Sequence, residues 1–254
     1  MMDNQLSNDG IARFRRDSYL AFGPVLDGAA VERLRAALDE LQAGWAAELG
    51  VTVDEYVRVV SQWTNVWEKH PAFAEQLRHP TITSAAARLI GCERVRVFHD
   101  HVISKPPVAN GTVPWHQDYP YWPINAPRAV SCWMALDNVD VESGCMHFMP
   151  GAHRDGEKKA VDFLNDSTVW GTRAAEVRAV PLAAGSCVFH DCLSWHTTPP
   201  NTTLRQRRAY IAIFMDADCT YDPSHSEWHP MNKRTSVPPG SIFNDDAFPV
   251  VGAR

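Results

Sequence analysis

The apolar pattern of this chain changes period once, at Gly91, and that change limits the folds open to it. Before Gly91, Asp27 suits a helix N-cap, and Val31, Leu34, Leu38, Leu41 and Trp45 follow at steps of three or four, which predicts an amphipathic helix. Pro71 and Pro80 suit the first turns of two shorter helices, the second carrying Ile82, Ala86, Leu89 and Ile90 toward a core. After Gly91 the period is two: Val95, Val97, His99, His101 and Ile103 are expected to share one side of a strand. Further strands are predicted at 129–136, 145–149, 177–182, 186–190 and 208–215, set apart by turns bearing Pro and Gly. Many short strands with long connections predict a mainly β fold with flanking helices, its core a double-sheet jelly roll of the cupin-like kind. No linker divides the chain, so one domain is expected over 1–254. It comprises a helical part at 1–92 covering the barrel, a jelly-roll core at 93–218 and an irregular C-terminal segment at 219–254. Five prolines in that last segment suit a flap.

Composition narrows the partners. The 24 Lys and Arg against 30 Asp and Glu leave a net charge of −6, which disfavours nucleic acid and anionic membranes as partners. No apolar run approaches the roughly 18 residues of a membrane helix, and Met1-Met2-Asp3-Asn4-Gln5 lacks the basic and apolar regions of a signal peptide. A cytoplasmic protein, monomer or homodimer, acting on a small molecule is expected. The six cysteines form no C-x-x-C pair and are read as buried thiols.

His116-Gln117-Asp118 offers an imidazole and a carboxylate that can grip one face of a metal. Chance supplies about one such triplet in a chain of this composition, so a third ligand must decide. The candidate is His196, at the end of an apolar stretch launched by the turn glycine Gly185. Arg207 follows eleven positions later and opens another apolar strand, where its guanidinium could hold a carboxylate bidentately. Two His, one Asp and an arginine for a dicarboxylate are the kit of a non-haem iron oxygenase. Along that strand Arg207 keeps the parity of Ile211 and Ile213, while Arg208 shares the opposite side with Tyr210 and Ala212 and is expected to be an exposed charge.

Four blocks in order resemble the phytanoyl-CoA dioxygenase family: Ser104-Lys105-Pro106-Pro107, then Trp115-His116-Gln117-Asp118-Tyr119-Pro120-Tyr121-Trp122-Pro123, then Ser143-Gly144-Cys145-Met146-His147-Phe148-Met149-Pro150-Gly151-Ala152-His153, then 185–208. The likeness covers 94–218 in detail. It implies an Fe(II)- and 2-oxoglutarate-dependent oxygenase on a jelly roll, using O2 to hydroxylate an aliphatic C–H while 2-oxoglutarate becomes succinate and CO2. It further implies that His116, Asp118 and His196 hold the iron and that Arg207 and Thr198 bind the distal carboxylate of 2-oxoglutarate. Trp133, reached with a one-residue gap, matches a cosubstrate-contacting tryptophan. Gln62 and His101 match two further cosubstrate positions at which the residue type departs from the family. Halogenating members of the superfamily vacate the position of Asp118 with Ala or Gly, so halogenation is not expected.

Tyr121 and Trp122, just after two ligands, are expected to line the substrate pocket, and Trp228 in the tail suits a lid. His99 is left outside the metal shell. His147, His190, His225 and His229 have no spacing that supports a second metal site, and Gly151 and His153 are given a structural turn. Desaturation, epoxidation or cyclisation would use the same residues. An acyl-CoA substrate would call on Arg154, Lys158 and Lys159 for its phosphates. A non-catalytic cupin-like binding protein, a cupin isomerase and a zinc hydrolase are the readings from other classes, and succinate formation separates them from the oxygenase.

Overall fold

The computed structural model describes residues 6–109, 111–163 and 174–252. The N-terminal third forms α1 (Asn8–Asp17), β1 (Tyr19–Phe22), α2 (Gly28–Leu49), α3 (Val53–Tyr56), β2 (Ser61–Thr64), α4 (Pro71–Gln76) and α5 (Pro80–Ile90). The strands that follow are β3 (Val95–Lys105), β4 (Val113–His116), β5 (Ala129–Ala135), β6 (Met146–Phe148), β7 (Arg178–Val180), β8 (Cys187–Asp191), β9 (His196–Thr198), β10 (Arg207–Asp216) and β11 (Val250–Val251).

The helices form where the sequence signals placed them. Asp27 accepts a hydrogen bond from the Ala30 amide and caps α2, whose other end stops at Gly50 in the left-handed region. Val31, Leu34, Leu38 and Trp45 are buried, while Leu41 is half-buried and Gln42 is turned inward. Pro71 and Pro80 each stand in the first turn of α4 and α5, where a missing N–H costs nothing.

All strand pairings are antiparallel. The larger sheet runs β1-β8-β5-β10-β3-β11, with β2 also on β3; the smaller runs β4-β9-β6-β7. One apolar cluster fills the space between the sheets, with Trp133, Ile211 and Ile213 from the larger and Met146, Phe148 and Val180 from the smaller. A second lies on the outer face of the larger sheet, where Val97, Val102, Cys132, Met134, Tyr210 and Phe214 meet Leu34, Leu38 and Ala86 of the helices. This is the expected jelly roll with one sheet covered by helices.

Three features depart from the reading of the sequence. The first 92 residues are not only a helical cover, since β1 and β2 join the larger sheet. The tail is irregular until β11 returns it to the sheet beside Val95 and Arg96. The third concerns parity in β3. A bulge at Phe98, opposite the step from Ile213 to Phe214, inserts one residue into the strand. Val95 and Val97 therefore face the helices, while Phe98, His99, His101 and Ile103 face the barrel interior. Of the six cysteines, all are free thiols, five are buried and Cys92 is half-buried. Gly185 starts β8 at φ +86°, and a Cβ there would stand 2.5 Å from the Leu26 carbonyl oxygen, so the turn needs glycine.

Candidate active site

β4 and β9 pair so that His116 and His196 lie directly opposite each other, and the chain turns immediately after β4 to bring Asp118 beside both. His116 Nε2 lies 3.5 Å and His196 Nε2 3.7 Å from Asp118 Oδ1, and the three ligand atoms all fall within 4.8 Å of one another. Each imidazole is oriented from behind. His116 Nδ1 sits 2.8 Å from the Pro114 carbonyl oxygen and His196 Nδ1 3.0 Å from that of Ser194. Donation from Nδ1–H leaves each Nε2 lone pair facing the site.

The second oxygen of Asp118 is also held: Ser131 Oγ donates to Oδ2 at 2.9 Å, and His190 Nε2 lies 3.2 Å from it. Burial would raise the Asp118 carboxyl, but His196, His116 and His190 around it outweigh burial and hold it well below the usual carboxylate range. Burial, followed by the neighbouring His116, pushes the His196 imidazole well below its ordinary value and keeps it neutral. Two imidazoles and one carboxylate on one face is the donor set of the facial arrangement.

Gln117 performs a different task. Its Nε2 donates to the carbonyls of Gly156 and Leu193 and its Oε1 accepts from the Lys158 amide, bolting the ligand turn to two loops. No spacing or motif in the chain signals the roles of Ser131 and His190. Both come from the larger sheet, on β5 and β8, and neither is near the triplet in the chain. Gly151 stands at φ +74° before a short 3-10 turn, and His153 Nε2 lies 3.2 Å from the Arg15 carbonyl oxygen, in keeping with a structural role for this stretch.

The ligands open onto a cavity of about 490 Å³ inside the barrel. On one side lie Thr198, Trp133, Ile103 and Ile211, and beyond them Arg207. Arg207 is 1% exposed; its guanidinium carbon stands 5.3 Å from the Trp133 ring centroid, and none of its three nitrogens has a hydrogen-bond partner among the described residues. Burial pushes it down to about 10. The neighbouring arginines are engaged elsewhere. Arg205 reaches Asp140 at the surface, at 2.8 Å. Arg208 makes a two-pronged pair with Asp137, Nε to Oδ2 at 3.0 Å and Nη2 to Oδ1 at 2.9 Å, so it is a largely buried ion-paired group and not the exposed charge expected.

Tyr121 and Trp122 also line the cavity, with Phe163 and, from the tail, Trp228, His229 and Met231. Tyr121 Oη donates to the Val161 carbonyl and accepts from the Val161 amide, while Trp122 packs on Phe98. Trp228 is 65% exposed at the mouth, edge-on to Tyr121 with ring centroids 5.7 Å apart. His99 and His101 face the cavity without entering the ligand group. Burial holds His99 well below its ordinary range and His101 and His229 at about 4, so this wall is neutral. Gln62 lies on the exposed rim. Among the described residues no helix is long and apolar enough to cross a membrane.

A sequence profile described as phytanoyl-CoA dioxygenase (PhyH) matches residues 14–209. L-proline trans-4-hydroxylase of Streptomyces griseoviridis is 27% identical over 269 residues, covering 96% of this chain and 94% of that enzyme. Two Caenorhabditis relatives match at 29% and 27% identity, and there the match spans about half of their own length. Among solved structures, the non-heme alpha ketoglutarate dependent carbocyclase SnoK from nogalamycin biosynthesis superposes with a TM-score of 0.80 at 29% identity, over 97% of this chain and 96% of that one. The epimerase SnoN, solved with Fe3+, alpha ketoglutarate and nogalamycin RO, gives 0.77 at 27% identity over 95% and 97%.

Proposed function

The chain belongs to the phytanoyl-CoA dioxygenase family, and from that premise we propose that it is an iron(II)- and 2-oxoglutarate-dependent oxygenase hydroxylating an aliphatic C–H of a small molecule. The observation that carries this reading is the pairing of the His116, Asp118 and His196 cluster with an unpartnered buried guanidinium in the same barrel. A buried charge without a partner is costly, so Arg207 makes physical sense as the seat of an arriving carboxylate. The donor set fits iron(II), and Arg207 with Thr198 fits a dicarboxylate.

In this reading His116, Asp118 and His196 hold the metal, and Arg207, Thr198 and Trp133 receive the far end of 2-oxoglutarate. His101 and Gln62 border the same compartment. Bound together, iron and 2-oxoglutarate supply, with O2, the oxidant for C–H cleavage, releasing succinate and CO2. The protein's own residues orient and enclose. Ser131 and His190 fix Asp118 so that one oxygen faces the two imidazoles. Tyr121 and Trp122 present aromatic surface to the substrate, and Trp228 and His229 narrow the mouth against water. Asp118 fills the position a halide would need, so oxygen transfer is favoured over halogenation.

A second outcome, ring closure or epimerisation with the same cofactors, draws support from the near full-length superposition on SnoK and SnoN. An acyl-CoA substrate draws little: Arg154 Nη1 donates to the Arg16 carbonyl and Lys158 Nζ to the Asp155 carbonyl, so these charges are partly spent on the loop itself.

The test is addition of iron(II) and 2-oxoglutarate under nitrogen, with the weak visible charge-transfer band of the chelate as the expected result. His196→Ala should lose that band and substrate-stimulated succinate release while keeping its near-UV circular dichroism. Full turnover by His196→Ala would overturn the assignment.

A further inference from the structure

A second buried cation stands beside Arg207. Lys105 is its directly opposite partner across β3 and β10, so the two side chains leave the sheet on the same face. Lys105 is 0% exposed, and its ammonium crosses to the smaller sheet, where it donates to the Thr198 carbonyl at 3.0 Å, to Thr198 Oγ1 at 3.0 Å and to the Pro199 carbonyl at 2.6 Å. Among the described residues no carboxylate lies within 4.0 Å of Lys105 or Arg207. Two neighbouring cations, both removed from water, therefore stand behind Thr198 and Trp133 of the cavity wall without a counter-ion among the described residues.

The hydrogen bonds make the arrangement directional. All three ammonium protons are used, and Thr198 Oγ1 accepts one of them. The hydroxyl has a single proton of its own, for which no acceptor stands among the described residues. That proton is left for an oxygen arriving in the cavity, which Thr198 lines. A tie between two sheets needs only a neutral donor, whereas an ammonium here adds positive charge where Arg207 already has no partner.

We infer that Lys105 is a positioning residue for the distal carboxylate of the cosubstrate: it commits Thr198 to donate toward that carboxylate and adds a second positive charge behind Arg207. The inference rests on the cosubstrate reading given above and extends it to selectivity. Lys105 should matter for a 2-oxo acid that ends in a carboxylate and be indifferent to one that ends in a methyl group. Burial first, and repulsion from Arg207 second, push Lys105 down to about 7, in line with a cation that gains from an anion beside it.

The experiment is calorimetric titration of the iron(II)-loaded protein under nitrogen with 2-oxoglutarate and with 2-oxovalerate, which has the same chelating end and a methyl in place of the distal carboxylate. Lys105→Met should weaken 2-oxoglutarate binding by roughly tenfold to a hundredfold while changing 2-oxovalerate by less than about threefold. Thr198→Val, which keeps the shape of the side chain, should show a smaller loss with the same selectivity. The double variant should lose less than the product of the two single losses, because the residues act as a unit. Lys105→Gln serves as the milder neutral variant should the methionine variant fold poorly. Equal weakening for both ligands, or for neither, would reduce Lys105 to a tie between sheets and overturn the inference while leaving the cosubstrate reading intact. If the wild-type protein binds 2-oxoglutarate no more tightly than 2-oxovalerate, the cosubstrate reading falls and the inference with it.

Discussion

The two faces of the larger sheet treat two adjacent buried arginines in opposite ways. On the outer face, under the helices, polar groups are met by protein: Arg208 pairs with Asp137, and Asp100 Oδ2 accepts from Tyr210 Oη and from the Trp67 amide, each at 2.9 Å. On the inner face, one residue away along the same strand, Arg207 has the Trp133 ring beside it but no hydrogen-bond partner among the described residues, and the Nδ1 atoms of His99, His101 and His190 likewise have none there. The outer face does contain unsatisfied atoms, Gln42 Nε2, Trp67 Nε1 and Asp100 Oδ1 among them, but the arginine there is paired. Adjacent arginines of one strand therefore differ in which side the strand turns them to. A buried charge completed by its own chain reports on stability, and one left incomplete reports on a ligand.

That contrast predicts a crossed result. Arg207→Gln should raise the 2-oxoglutarate requirement by roughly thirtyfold to several hundredfold, with the melting temperature unchanged or higher because an unpaired buried charge has gone. Arg208→Gln should leave the requirement within about threefold and instead lower stability by about 1–3 kcal/mol, since Asp137 loses its two-pronged partner. Titration of cosubstrate and thermal melting of both variants check this, and a reversed pattern would break the comparison. A smaller effect is expected at His190, whose Nε2 lies against Asp118: His190→Gln should weaken iron(II) affinity by about tenfold to a hundredfold in an equilibrium metal titration, with the fold retained. The smallest lies on the outer face. Burial pushes Asp100 up to about 7, so between its unfolded value near 4 and about 7 the folded state holds more protons than the unfolded state. Stability should therefore fall as pH rises through that window. Asp100→Asn should flatten the slope and gain on the order of 1 kcal/mol at pH 8, read from urea unfolding at several pH values.

Much of this contrast was legible before any coordinates. Parity puts Arg207 and Arg208 on opposite faces, because β10 is regular from end to end and its apolar residues mark both faces, and the spacing of eleven from His196 selects Arg207. The ligand set was legible because a short triplet, a turn glycine and a strand-end histidine all lie in local sequence. Where the reading failed, the cause was non-local. In β3 the bulge at Phe98 shifts the phase of the strand, and an unbroken alternation puts Val95 and Val97 on the same side as His99 and His101, where the structure separates them. β1, β2, β4 and β11 are two to four residues long, too short for a period to register, and exist because longer strands accept them at the edges or because β9 pairs with them. Ser131 and His190 reach Asp118 only after β5 and β8 fold beside it, and no spacing in the chain announces that meeting. Lys105 stands within a block that matches the family, but its use depends on a partner in the opposite sheet.

The cavity wall backed by Lys105 and Arg207 ties the durability of the protein to its chemical surroundings. With neither cation matched, the ligand-free barrel carries a repulsion that folding alone does not remove. A dicarboxylate that binds only the folded state would relieve it and, by mass action, add about 2.7 kcal/mol at a hundred times its dissociation constant. Its melting curve would then serve as a gauge of 2-oxoglutarate supply. Succinate keeps the carboxylate that Arg207 is proposed to receive, so the spent cosubstrate would protect the barrel by the same grip, and accumulation of product would slow turnover while prolonging the life of the fold.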